Sequence, residues 1–221
     1  MSRAAAMLPA LPTVTAVLPA YNEAGRVGPT VAALQGVVGE ILVIDDASRD
    51  ATAAEARAAG ARVITQPTNQ GYIAAIKRGF AEAQGEVVVV VDADGEFPVT
   101  AIPGLVAPIL TGQADMVQGH RNLVPRPSER VLTWLAGLRG PVGDSGTGLR
   151  ALRTDLARRL QLPGACICGI FALEVLSHGG VIREIPIHLQ TVRKPRRIAW
   201  FHLRQLFILL PWLLRRYPRR A

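Results

Sequence analysis

Asp92, Asp94 and Glu96 stand at alternate positions directly after Val87-Val88-Val89-Val90-Val91. Carboxylates at that spacing can converge on one hard divalent cation, which takes oxygen ligands and keeps positions open for substrate phosphates. Taken alone, the same pattern also describes a solvated acidic turn. A second pair of acids, Asp45-Asp46, follows the apolar run Ile41-Leu42-Val43-Ile44, with Ser48 or Asp50 placed to cap a helix. Adjacent carboxylates repel each other, a cost that falls when one of them meets a donor or a cation. Pro19-Ala20-Tyr21-Asn22-Glu23 closes an earlier apolar run. Tyr21 offers a ring that can stack on a base, and Glu23 a carboxylate that can accept from base or ribose donors.

Further along, Asn69-Gln70-Gly71 would let backbone approach a ligand, or simply open a helix. Gly119-His120-Arg121 carries a guanidinium suited to phosphate or to an ion pair. Asp144-Ser145-Gly146-Thr147-Gly148-Leu149-Arg150 combines a flexible loop with a hydroxyl and a second guanidinium, either a phosphate cradle or a plain glycine turn. Cys166 and Cys168 lack a second ligand pair in sequence and read as buried or incidental thiols. His120, His178, His188 and His202 show no ligand spacing.

The elements that must position these residues follow from the apolar pattern. Five successive valines describe a central parallel strand, apolar on both faces. Strands are expected at 14–19, 40–45, 61–65, 87–91, 115–119 and 181–188. Helices are expected at 24–35, 50–59, 72–83, 100–110, 129–138 and 171–177. Strand–helix alternation at this spacing implies a mostly parallel sheet with helices on both faces. In such sheets ligands bind at the carboxyl edge, where the acids and Arg121 fall.

The chain has 221 residues, is 49% hydrophobic and carries a net charge of +8. That charge belongs to the C-terminal segment. Residues 193–221 hold nine basic side chains and no acid, whereas residues 1–192 hold 16 basic and 17 acidic ones. A nucleic-acid-binding domain would spread its cations over a folded face, so nucleic acid is not expected as a partner. Basic residues interleaved with Trp200, Phe201, Phe207 and Trp212 read as an amphipathic membrane-surface segment, with core packing as the alternative. The longest apolar stretch, Leu206 to Leu214, is well short of the roughly 20 residues a spanning helix needs. Residues 1–12 read as a flexible leader without signal-peptide character. The expected location is cytoplasmic, peripheral on the cytoplasmic membrane face.

As an ordered set, these motifs resemble family 2 glycosyltransferases of the GT-A fold, in particular the polyprenyl-phosphate and dolichyl-phosphate sugar transferase branch. The resemblance rests on Pro19–Glu23, Val43–Thr52, Asn69–Gly71, Asp92–Pro98, Gly119–Arg121, Thr147–Arg150 and Glu184–Ile187. It implies that Pro19, Tyr21, Glu23, Asp46 and Asp92 hold the nucleoside end of a UDP- or GDP-sugar. Asp92, Asp94 and Glu96 would hold Mg²⁺ or Mn²⁺ on the diphosphate. Arg121, Thr147 and Arg150, with Arg193, Lys194, Arg196 and Arg197, would face the acceptor phosphate. Asp94 and Arg121 enter as catalytic residues, with Asp144 favoured over Glu174 as general base if a hydroxyl acceptor requires one. Ala47 departs from the usual Gly or Asn after the paired acids, and Glu96 from the usual Gln.

The expected organisation is a leader (1–12), a GT-A domain (13–192) and a basic amphipathic segment (193–221). The domain divides into a nucleotide half (13–121) and an acceptor half (122–192). The leading function is inverting, metal-dependent sugar transfer to a polyprenyl phosphate at a membrane surface. The same donor chemistry with a soluble hydroxyl acceptor is the nearest alternative, and a non-catalytic anion- or nucleic-acid-binding module the alternative of another class.

Overall fold

The computed structural model describes residues 10–122, 124, 126–164, 166–189, 199–215 and 217. Seven strands form one sheet: β1 (Leu11–Ala20), β2 (Val38–Asp45), β3 (Arg62–Thr65), β4 (Val87–Val90), β5 (Met116–Arg121), β6 (Arg150–Arg153) and β7 (Ile182–Ile187). Their order across the sheet is β3-β2-β1-β4-β6-β5-β7. Strands β3, β2, β1 and β4 run parallel, β6 is antiparallel to both β4 and β5, and β5 pairs parallel with β7. The nucleotide half and acceptor half inferred from sequence therefore share one continuous sheet.

The alternation of strand side chains builds a core on each face. Val17, Val88 and Val90 point into one core with Ile76 and Phe80 of α3 (Tyr72–Glu82) and Phe171 of α7 (Ile170–Ser177). Phe80 and Phe171 meet edge to face, with centroids 6.1 Å apart. Ala16, Leu18, Val87 and Val89 point into the other core, with α1 (Val27–Leu34), α2 (Thr52–Ala58) and α4 (Ile102–Leu110). The valine run is thus buried on both faces, as its composition requires.

Most expected elements are present with small shifts at their ends. β1 begins at Leu11, whose N–H donates to the Val37 carbonyl at 2.9 Å, so the strand reaches into the stretch read as a leader. β6 and the short α6 (Thr154–Ala157) have no counterpart in the sequence reading. α5 (Pro127–Gly137) starts at its proline, and α8 (Ala199–Leu214) closes the chain's helical layer against α5 and α7. Along α8, His202, Gln205, Leu209 and Trp212 are buried, whereas Leu203, Phe207, Leu210 and Leu214 are exposed. Among the described residues no helix is long and apolar enough to cross a membrane.

The loop after β2 turns at Ala47, which has φ +61°. An L residue in this left-handed region is strained by about 1–2 kcal/mol, a strain that glycine avoids. Ala47→Gly is expected to raise stability by about 0.5–1 kcal/mol after allowing for its looser unfolded chain. Thermal unfolding checks this, and a lower melting temperature for the variant would contradict it.

Candidate active site

The parallel strands β1, β2 and β4 end at one edge of the sheet, and the antiparallel β6 starts there. Val90 is paired with Arg150, which brings the loop before β6 against the acids after β4. Gly148 is the point of closest approach. A Cβ at this position would overlap the Asp92 carboxylate, so only glycine lets that carboxylate rest on the loop. Asp92 follows Val88 and Val90 to the α3 side, where its Oδ1 accepts the Tyr72 hydroxyl at 2.6 Å. Burial raises the Tyr72 phenol well above its ordinary pKa, reinforced by the Asp92 charge, so it stays a donor to Asp92. Asp94 Oδ1 accepts the Glu96 N–H at 3.1 Å, closing the turn.

A cavity of about 770 Å³ opens at this edge. One half is walled by Pro19, Tyr21, Glu23, Asp46, Asp92 and Asp94, all expected donor-site residues. Tyr21 is 43% exposed, a ring available for stacking. Asp46 is buried and accepts from Gln66 Nε2 at 2.6 Å and from the Gln70 and Gly71 N–H groups at 2.7 Å each. It therefore pins the entrance of α3, where Gly71 has φ +90°. A carboxylate offers about four lone-pair positions, so Asp46 retains one for a ligand. Glu23 pairs with Arg26 at 2.7 Å. Burial raises its pKa, opposed by Arg26 and assisted by the charges of Asp94 and Asp92. The loops after β1 and β2 are tied together: Ser48 Oγ accepts the Asn22 N–H, and Asn22 Oδ1 accepts the Arg49 N–H.

The fit to a divalent cation rests on Asp92 and Asp94, two hard oxygen donors facing the same cavity. Glu96 does not line this cavity, and among the described residues the three acids do not form a cluster with ligand atoms within 4.8 Å of one another. Of the three acids expected to converge, Asp92 and Asp94 line the cavity.

The acceptor half corrects several sequence expectations. Arg121 is fully buried, and its Nε and Nη2 donate to the two oxygens of Asp144 at 2.6 and 2.8 Å. Nη2 also donates to Glu129 at 2.9 Å, and Glu129 takes a further bond from Arg126 at 2.8 Å. Asp144 additionally accepts the N–H groups of Arg121 and Gly146. Burial would raise the Asp144 pKa, but the bonds and charge of Arg121 outweigh it and hold the carboxyl below its ordinary range. A sealed, acidified carboxylate is a poor general base, and Arg121 is held through Nε and Nη2 while its Nη1 is buried without a partner among the described residues.

Thr147 is also buried, its hydroxyl bonded within the turn to Leu149. Arg150 lies behind the site, its guanidinium 4.3 Å from the centre of the Phe171 ring, donating to the Thr147 carbonyl. Burial lowers its pKa, countered by charges including Asp92. It supplies a positive charge near Asp92, and its Nε and Nη1 are buried without a partner among the described residues. Glu174 accepts the N–H groups of Gln161 and Leu162 at 2.7 Å each and holds that loop. Arg193, Lys194, Arg196 and Arg197 lie outside the described residues.

The second half of the cavity is walled instead by Arg126, Glu129, Gly146, Cys166, Cys168 and His202. Sequence reasoning missed Tyr72, Arg126 and Glu129, and set the cysteines and His202 aside. The structure brings Cys166, Cys168 and His202 together, all buried, with ligand atoms within 4.8 Å of one another. The C-x-C spacing was the available signal, but its partner lies 34 residues away in α8.

A family model for glycosyl transferase family 2 matches residues 15–173, and the chain belongs to that family. It is 34% identical over 151 residues to glucosyl-3-phosphoglycerate synthase of Mycolicibacterium paratuberculosis, covering 63% of this chain and 42% of that one. It is 37% identical over 116 residues to dolichol-phosphate mannosyltransferase of Pyrococcus furiosus, covering 49% of this chain and 33% of that one. Both matches span less than half of the relative. An uncharacterized glycosyltransferase of Mycobacterium tuberculosis is 34% identical over 170 residues, 76% of this chain and 72% of its own. The fold matches the crystal structure of M. tuberculosis glucosyl-3-phosphoglycerate synthase in complex with Mn²⁺, UDP-glucose and phosphoglyceric acid. That match has a TM-score of 0.78 and 25% identity, over 91% of this chain and 79% of that one. The architecture is GT-A, as the motif order implied.

The buried Asp144 ion pair has a pH signature. Its pKa is depressed in the folded chain, so its contribution is fully present above the ordinary carboxylate range and fades as pH falls through the folded value. Asp144→Asn is expected to cost about 3–5 kcal/mol near neutral pH by removing one of the two carboxylates that hold the buried Arg121. The difference from wild type should narrow on acidification. Urea midpoints at neutral and acid pH measure both, and an unchanged midpoint near neutrality would contradict the assignment.

Proposed function

We propose that the protein transfers a sugar, with inversion and metal dependence, from a UDP- or GDP-sugar to an acceptor that is already an anion, of which a polyprenyl phosphate is the leading candidate. The donor half of this reading is carried by one observation: Asp92 and Asp94 face the same cavity as the Tyr21 ring and the Asp46 carboxylate. Asp92 and Asp94 would hold Mg²⁺ or Mn²⁺, with Glu96 following on the same turn. The bound cation would supply charge neutralisation to the leaving diphosphate. Tyr21 stacks on the base, and Asp46 offers its remaining acceptor position to the nucleoside. Tyr72 orients Asp92 through its hydroxyl, and Gly148 keeps the path to that carboxylate clear. UDP is the first nucleotide to test, because a related synthase binds UDP-glucose.

The acceptor reading rests on proton accounting. A hydroxyl nucleophile must lose its proton to a base, whereas a phosphate oxygen is ionised beforehand. Of the acids in the cavity wall, Glu23 is paired with Arg26, Glu129 with Arg121 and Arg126, and Asp46 holds three donors. Asp144 and Glu174, the acids considered for a base, are committed to structure. This distribution favours a nucleophile that brings its own negative charge. A lipid-linked phosphate agrees with the exposed apolar stripes: Val131 and Trp134 on α5 with Leu138 just past its end, and Leu203, Phe207, Leu210 and Leu214 on the neighbouring α8. Such stripes bind the headgroup–acyl boundary when basic residues flank them, as Arg130, Arg139, Arg204 and Arg215 do here.

A soluble phosphorylated acceptor is the second reading, favoured by the synthase relatives and their phosphoglyceric acid complex. Calorimetric titration of UDP and GDP with and without Mn²⁺ tests the donor half. One nucleotide is expected to bind in a metal-dependent manner, and Asp94→Asn to lose that dependence. Nucleotide binding that is indifferent to both metal and Asp94 would overturn it. Sugar transfer to short polyprenyl phosphate compared with 3-phosphoglycerate then separates the two acceptors. Phe207→Glu paired with Trp134→Glu should reduce binding to anionic vesicles without changing nucleotide affinity.

A further inference from the structure

We infer that Cys166, Cys168 and His202 form a second metal site, chemically distinct from the carboxylate site and suited to a zinc-class ion. Two thiolates and one imidazole are a soft, borderline donor set that favours zinc over Mg²⁺ or Mn²⁺. The C-x-C spacing places both sulfurs on one side of an irregular segment just before α7, and α8 supplies the imidazole from its buried face. The three ligand atoms lie within 4.8 Å of one another. Zinc–sulfur and zinc–nitrogen bonds of about 2.3 and 2.1 Å at a tetrahedral angle put S and N about 3.6 Å apart. Cys168 Sγ and His202 Nε2 are 3.7 Å apart.

The surroundings already have the character of an outer coordination shell. Ser128 Oγ is 2.7 Å from His202 Nδ1, which fixes the ring and leaves Nε2 directed at the sulfur. An outer partner of this kind orients a ligating histidine and tunes its basicity. The Cys168 N–H donates to Cys166 Sγ at 3.3 Å, a bond that supports negative charge on sulfur. Arg150 lies within electrostatic reach of Cys168 and offsets part of the charge two thiolates would bring. Three protein ligands leave a fourth tetrahedral position, and all three residues line the cavity. Water, or an anionic oxygen entering the acceptor half, is the chemical class that position takes. The inference rests on the cluster itself and does not depend on the sugar-transfer reading.

Cobalt substitution of the reduced, full-length protein tests it directly. Reduced wild type should bind about one Co²⁺ with an intense thiolate-to-cobalt charge-transfer band and tetrahedral ligand-field absorption, and Zn²⁺ should displace it. Cys166→Ser and Cys168→Ser should each weaken or abolish the band, and His202→Asn should alter the ligand-field region. Ser128→Ala should weaken binding by about tenfold while keeping the sulfur signature. Asp94→Asn should leave the band intact, which separates this site from the carboxylates. Far-ultraviolet circular dichroism checks that each variant is folded, and a Zn²⁺-dependent rise in melting temperature should be confined to proteins that retain the three ligands. Absence of the charge-transfer band in reduced wild type would overturn the inference. So would a band that survives both cysteine substitutions, or a purely octahedral, oxygen-type cobalt spectrum.

Discussion

The structure around β5 and β6 is organised around one buried cation. The Arg121 side chain has no exposed surface, and removing a guanidinium from water costs several kcal/mol unless its donors are satisfied. Two carboxylates meet most of that demand from different parts of the chain, Asp144 in the loop before β6 and Glu129 in α5, and Nη1 alone of its nitrogens is buried without a partner among the described residues. The same network draws in Arg126 through Glu129. Glu184 of β7 extends it, accepting the N–H groups of Gly143 and Asp144 together with Gln118 Nε2. One charge cluster thereby fixes the end of β5, the start of α5 and the loop whose Gly148 touches Asp92.

That arrangement explains why so many charged residues near the cavity are poor candidates for chemistry. A carboxylate that compensates a buried guanidinium is held ionised, and taking a proton from a substrate would uncover the guanidinium. Those acids build the loop, whereas Asp92 and Asp94 face the cavity. Arg150 works in the same sense from below. Its cation faces Phe171 and lies within the field of Asp92, so it steadies that negative charge.

What could be read from sequence divides along the same line. Strands β1 to β5 and their helices were legible because apolar period and turn residues are local signals. The clustering of Pro19, Tyr21, Glu23, Asp46, Asp92 and Asp94 was legible because strand ends in a parallel sheet share an edge. β6 was not, since Arg150-Ala151-Leu152-Arg153 begins and ends with cations and runs against its neighbours. The burial of Arg121, Asp144, Thr147 and Arg150 was not legible for a related reason. A charged residue in a glycine-rich loop looks available until the tertiary partner that buries it is known. Cys166, Cys168 and His202 share this property, because two elements distant in sequence create the group.

The C-terminal helix joins these themes. Its sequence left core packing and surface docking as competing readings, and the structure packs one face inward and leaves the other exposed. His202, Gln205, Leu209 and Trp212 pack inward, whereas Leu203, Phe207, Leu210 and Leu214 face outward. His202 sits on the inner face, at the contact with α5 through Ser128. A helix anchored by that face brings its apolar outer stripe beside the Cys- and His-lined half of the cavity. The inner face of α8 completes the cavity wall, so displacing the helix would open the acceptor half while leaving the acids after β4 in place.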